Sequence, residues 1–168
     1  GAHAGGQALE PAAAALDRIE SRLVGFDSEL LKQGRIDVLT GLPNRIALRQ
    51  RIGETIAQAE ARGDGALALM FIDLDDFKRI NDTLGHDVGD EILAAVARRF
   101  VDILREEQPA EHGFIARFGG DEFVMLLSGG DARRRAGEIA ELLLSALRVP
   151  LRIAAAGKVA VRGQFTVA

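Results

Sequence analysis

The chain has 168 residues, enough for one domain with a substantial core, and its 48% apolar and 27% charged residues are an ordinary globular balance. A net charge of −4 and an isoelectric point near 5.4 exclude a general nucleic-acid-binding surface, which needs clustered Lys and Arg. The absence of cysteine excludes disulfides and thiolate metal sites and agrees with a cytoplasmic location, and no apolar run approaches the roughly 18 residues of a membrane span.

Residues 1–10 read as a flexible lead or tag. Residues 11–34 read as a helix, with Leu16, Ile19, Leu23, Phe26 and Leu30 on one seam at heptad spacing; the seam suits pairing with another helix or packing on its own domain. Gly34 stops it, and the main domain occupies 35–168. Gly41 and Pro43 break regular structure before a helix from Arg45 to Ala61, and Arg62 to Gly65 is a turn. Ala66 to Ile72 is an apolar run of strand length that closes on Asp73, Asp75 and Asp76. A short helix is expected over Asp75 to Asn81, turn residues at Gly85, His86, Asp87 and Gly89, and a long helix from Asp90 to Arg105 with Ile92, Leu93, Val96 and Phe100 inward. Glu106 to His112 reads as a loop.

Gly113 to Ser128, GFIARFGGDEFVMLLS, reads as a β-hairpin. Its two apolar runs suit strands at the centre of a sheet, and Gly119 and Gly120 supply the positive φ angles of its turn. Gly129 to Asp131 then cap a helix from Ala132 to Leu147, Pro150 ends it, and Lys158 to Ala168 is β-like. A hairpin interrupting the alternation of helix and strand points to an α+β fold with a central mixed or antiparallel sheet flanked by helices.

The hairpin tip carries Asp121 and Glu122, and a strand ending at Asp73 beside it would gather three carboxylates. Two carboxylates about 4 Å apart repel by roughly 4 kcal/mol at an effective dielectric near 20. Such a cluster either raises a pKa or binds a hard cation, and oxygen-only ligands with few protein donors suit Mg²⁺, which takes its remaining ligands from water and substrate phosphates. A calcium loop of the EF-hand kind starting at Asp73 would need Gly where Lys78 stands and Glu where Leu84 stands, so that reading fails. Three histidines, at 3, 86 and 112, are too scattered for zinc, and neither GxxxxGK[ST] nor GxGxxG is present. A solvated turn at the end of a hairpin is the structural alternative for the acids taken alone.

Gly119-Gly120-Asp121-Glu122-Phe123 is similar to the signature of the GGDEF family. Two further blocks stand in family order, Asp37-x-Leu-Thr-Gly-Leu-Pro-Asn-Arg45 and the run from Phe71 to Asp90, FIDLDDFKRINDTLGHDVGD. The resemblance covers Asp37 through Ala168. It implies a fold like that of class III nucleotide cyclases and polymerase palm domains, and the activity of a diguanylate cyclase, which condenses two GTP into cyclic di-GMP as a dimer. Carried over by motif position, it implies that Asp73, the Leu74 carbonyl and Asp121 bind Mg²⁺ (or Mn²⁺). It likewise implies that Asp121, with Glu122 beside it, serves as base for the ribose 3′-hydroxyl, that Lys78 approaches the β and γ phosphates, and that Asn81 and Asp90 recognise guanine. A carboxylate at Asp90 accepts from guanine N1–H and the N2 amino group together and meets an acceptor at adenine N1. A helix N-cap at Asp90 and a solvated Lys78 are the structural alternatives.

The resemblance further implies an upstream sensor coupled through the helix at 11–34 and, in the alternative reading, a catalytically silent GTP-binding regulator attached to a cyclic di-GMP phosphodiesterase domain. A dimerisation domain with relic acids is a third reading. Where many family members carry Arg-x-x-Asp before the signature, this chain has Ala110-Glu111-His112-Gly113, without the charges that clamp product phosphates. Calorimetry should therefore find no tight cyclic di-GMP complex at this loop; tight binding there would overturn the expectation. Family domains continue with a Ser-Ile-Gly strand and a basic terminal helix, so a chain ending at Ala168 is expected to be incomplete and less active than the intact domain.

Overall fold

The structure is a computed structural model that describes residues 34–63, 65–107, 113–154 and 156–167; the expected helix over 11–33 and the loop 108–112 lie outside the described residues. Helix α1 (Arg45–Arg62) starts where Asn44 accepts hydrogen bonds from the backbone N–H of Ile46 at 2.9 Å and of Ala47 at 3.2 Å, and it stops at Gly63 in the left-handed conformation. Strand β1 (Leu67–Leu74) follows, then the short helix α2 (Phe77–Leu84) and the long helix α3 (His86–Glu107). Strands β2 (Gly113–Gly119) and β3 (Glu122–Ser128) form the expected hairpin, and helix α4 (Ala132–Arg148) leads to β4 (Leu151–Ile153), β5 (Gly157–Val159) and β6 (Gly163–Val167).

The main sheet has the order β2-β3-β1-β6, with every pair antiparallel. The hairpin therefore does not lie wholly at the centre. Strand β3 is interior, with Phe123 to Leu127 buried, whereas β2 is an edge strand of the described sheet. The period-two alternation of β1 divides its side chains. Ala68, Met70, Ile72 and Leu74 join Phe123, Met125 and Leu127 and the inward residues of α3 and α4 in one core cluster. On the other side, Leu48 of α1 covers Ala116 and Val124, with Leu69 packed against them. Burying one such large apolar side chain contributes about 1.5–3 kcal/mol, so the two faces fix the register without slippage.

Four local expectations change. Helix α2 begins at Phe77 because Asp76 takes a left-handed conformation, φ 55°, which aspartate tolerates better than most residues. Helix α3 begins at His86, so only Gly85, at φ 93°, breaks the chain, and Gly89 lies inside the helix. The segment after Pro150 is a separate ribbon of β4 and β5 before β6, tied to α3 by the Ala154 N–H donating to Glu91 Oε2 at 3.0 Å. At the start of α4, Asp131 makes no capping hydrogen bond; its carboxylate pairs with Arg134 and Arg135 instead.

Candidate active site

Two hydrogen-bonded neighbours hold the end of β1. On one side the register places Asp73 opposite Glu122, and the Leu74 N–H donates to the Asp121 carbonyl at 3.3 Å. On the other, Asp73 lies opposite Gln164 of β6, and the Asp75 N–H donates to the Arg162 carbonyl at 2.8 Å. Two acidic segments nearly fifty residues apart in sequence thus share one rim. Beside it opens a hollow of about 400 Å³ that Asp73 and Glu122 line together with Phe71, Phe118 and Gln164.

The turn between β2 and β3 is tight. Gly120 has φ 49°, the sign a two-residue hairpin turn asks of its first central residue, whereas Gly119 needs no such freedom. The register shifts between Arg117 and Gly119, a bulge at Phe118 that re-aims the tip. Phe123, fully buried, packs edge-on against Phe100 of α3 with ring centroids 5.5 Å apart, which anchors the signature turn to the core.

Among the described residues no salt bridge compensates the charges at the rim. Burial, and then the negative charges of Asp121, Glu122 and Asp75, raise the Asp73 carboxyl above the ordinary carboxylate value. Among the described residues no three Asp, Glu or His side chains close on a common point as a metal cage would require. The donors expected from the sequence, two carboxylates and a carbonyl, suit a hard divalent cation that keeps water and substrate oxygens in its shell.

The other expected site residues lie on α2 and α3. Lys78 is exposed at the second position of α2, and Asn81 is half-buried on the same helix. Asp90 is exposed and is the fifth residue of α3, so the N-cap reading of Asp90 falls. Asn81 packs against Gly89, the residue that precedes Asp90.

Sequence reasoning missed Arg117. Its Nη1 donates to both oxygens of Asp37, at 3.0 and 3.1 Å, while Nε and Nη2 donate to the Gly120 carbonyl at 3.0 and 2.8 Å. Asp37 also accepts from the Thr40 backbone N–H at 2.9 Å and from its hydroxyl at 2.6 Å. Burial alone would raise the Asp37 carboxyl; the Thr40 hydrogen bonds, and then the bond and charge of Arg117, outweigh it and hold the group below the usual carboxylate range. The first family block is thereby clamped to the signature turn. The signal was present in the sequence as the one charge inside an otherwise apolar flank of the hairpin.

An antiparallel sheet with helices on both faces and acids at the meeting of β1 and the hairpin is the cyclase palm arrangement, and the chain belongs to the GGDEF family. The model of that family, described as diguanylate cyclase, GGDEF domain, matches residues 35–162. The chain is 40% identical over 147 residues to the diguanylate cyclase TpbB of Pseudomonas aeruginosa, an alignment covering 83% of this chain and 32% of the relative, so it spans about a third of that relative's length. A solved structure comprising only the GGDEF domain of TpbB superposes with a TM-score of 0.70 at 33% identity, covering 79% of this chain and 73% of the other. The coiled coil and GGDEF domain of DgcB from Caulobacter crescentus, in complex with c-di-GMP, superposes with a TM-score of 0.72 at 25% identity, covering 95% and 81%.

Proposed function

We propose that this chain carries the catalytic domain of a diguanylate cyclase, which joins two GTP molecules into cyclic di-GMP with release of two pyrophosphates. The observation that carries the reading is the register of β1 against β3, which sets Asp73 opposite Glu122 and beside the Asp121 turn. Asp73, the Leu74 carbonyl and Asp121 would hold Mg²⁺, with Mn²⁺ able to replace it. When bound, the ion supplies charge neutralisation at the phosphates and the leaving pyrophosphate.

The chain's own groups do the rest. Asp121, with Glu122 beside it, accepts the proton from the ribose 3′-hydroxyl as its oxygen attacks the α-phosphorus of the second GTP. Lys78, exposed in the first turn of α2, meets the β and γ phosphates. Asp90 accepts from guanine N1–H and the N2 amino group, and Asn81 supplies donors to the same base. Each domain presents one GTP, so two copies must face each other, and a homodimer is the working unit. The segment 11–34, with its heptad spacing in the sequence, would couple an upstream sensor to that encounter on the cytoplasmic side, where GTP is supplied. The intact acids favour catalysis over a silent regulator attached to a phosphodiesterase.

Incubating the protein with GTP and Mg²⁺ should yield cyclic di-GMP and pyrophosphate, read by chromatography. Binding of GTP without product would move the assignment to the regulatory reading. Failure to bind GTP would remove both.

A further inference from the structure

Gly89 is buried inside α3, where glycine is a poor helix former and needs a local reason. Its φ is not positive, so the reason is space: a Cβ built there would stand 1.8 Å from Asn81 Oδ1 and 2.9 Å from Asn81 Cγ, with Phe77 Cζ next at 3.3 Å. The first two distances are impossible for real atoms, whereas the third asks a small adjustment of a ring.

The same Asn81 Oδ1 is buried without a hydrogen-bond partner among the described residues. An orphaned carbonyl oxygen against a glycine Cα is tolerable, because a Cα–H is a weak donor. The reversed amide would press an N–H₂ group with no acceptor against that C–H, which is worse. The contact therefore selects one of the two amide orientations, oxygen inward, with the amide nitrogen at the other end of a half-buried side chain.

We propose that Gly89 is a positioning residue for base recognition: its missing side chain makes the slot that turns the Asn81 amide oxygen into α3 and presents the two N–H donors beside the Asp90 carboxylate. A pair of donors next to a two-oxygen acceptor complements an edge offering one acceptor and two adjacent donors, as guanine's does. The inference deepens the guanine-binding role of Asn81 and Asp90 and rests on it.

The test is a double-mutant cycle on binding of 3′-deoxy-GTP with Mg²⁺, an analogue that keeps the base and triphosphate but cannot condense, read by calorimetry on the full chain. Asn81→Ala and Gly89→Ala should each weaken binding by about fivefold to tenfold, the usual loss of one neutral hydrogen bond. The double variant should bind no worse than Asn81→Ala alone, and its thermal midpoint should lie above that of Asn81→Ala, because alanine is the better helix residue once the amide is gone.

Multiplied losses in the double variant would overturn the inference, since Gly89 would then act apart from Asn81. So would a Gly89→Ala protein that binds like the wild type. Should Gly89→Ala alone fail to fold, the double variant decides: refolding with the affinity of Asn81→Ala supports the slot, and continued misfolding rejects it. A wild type that binds the analogue while Asn81→Ala binds equally well would remove the guanine-reading role of Asn81, and the inference with it.

Discussion

Asp73→Asn is expected to lower cyclic di-GMP formation by about a thousandfold or more, because it removes a carboxylate that would help hold the ion neutralising the phosphates, a contribution of several kcal/mol at about 1.4 kcal/mol per factor of ten. The same substitution should leave the fold intact and raise its heat stability slightly near neutral pH. Asp73 stands beside Asp121, Glu122 and Asp75, and burial and these neighbours raise its pKa in the folded state. A carboxyl whose folded pKa is raised contributes stability that is fully present below the unfolded pKa and is lost as pH rises through the folded one. Near neutral pH the wild-type protein carries the charged form at its least favoured; the amide does not. The gain should therefore shrink on acidification, where the wild-type carboxyl is protonated too. Product formation by chromatography and thermal midpoints at neutral and acid pH check both halves. Turnover within tenfold of the wild type would remove Asp73 from the catalytic machinery, and a midpoint that falls at neutral pH would show that its charge is structurally paired.

Most of the frame was legible in the sequence because the apolar periodicities are strong. The run before Asp73, the two flanks of the hairpin and the inward stripe of α3 each match an observed element, and the acidic rim follows once β1 and β3 are neighbours. What escaped has a common physical cause: composition gives local preference, whereas position in the sheet and packing against another helix are set by tertiary contacts. The apolar flank Phe114 to Phe118 looks as buried as its partner, yet β2 is an edge whose inner residues are covered by α1. Gly85 and Gly89 both look like helix breakers; one takes a positive φ and breaks, and the other is helical and serves a neighbour's side chain. Asp90 looked equally suited to an N-cap, and only the start of α3 at His86 removes that role. The lone charge in the hairpin flank marks Arg117 locally, but its partner Asp37 lies eighty residues away and nothing local names it.

That partnership carries the second large effect. Arg117→Ala is expected to destabilise the domain by about 2–3 kcal/mol and to slow turnover by about tenfold or more, while 3′-deoxy-GTP affinity changes by less than about threefold. The side chains of Arg117 and Asp37 are only 15% and 22% exposed, so truncation leaves a largely buried carboxylate with Thr40 as its remaining partner and frees the Gly120 carbonyl. Gly120 precedes Asp121, so the loosened turn misplaces the group assigned to the 3′-hydroxyl. The residues proposed to read the base lie on α2 and α3, which the clamp does not touch. Arg117→Lys should recover little, because one ammonium cannot serve the carboxylate and the turn carbonyl in the geometry of a guanidinium fork. The pH dependence follows from Asp37, whose folded pKa is lowered. Its contribution is present above the unfolded carboxylate pKa and is lost as pH falls through the folded one, so the wild type should lose stability on acidification more steeply than Arg117→Ala does. Urea denaturation at neutral pH and in acid measures this. Equal midpoints for the two proteins at neutral pH would show that the clamp adds nothing, and parallel acid losses would show that Asp37 takes its low pKa from Thr40 rather than from Arg117.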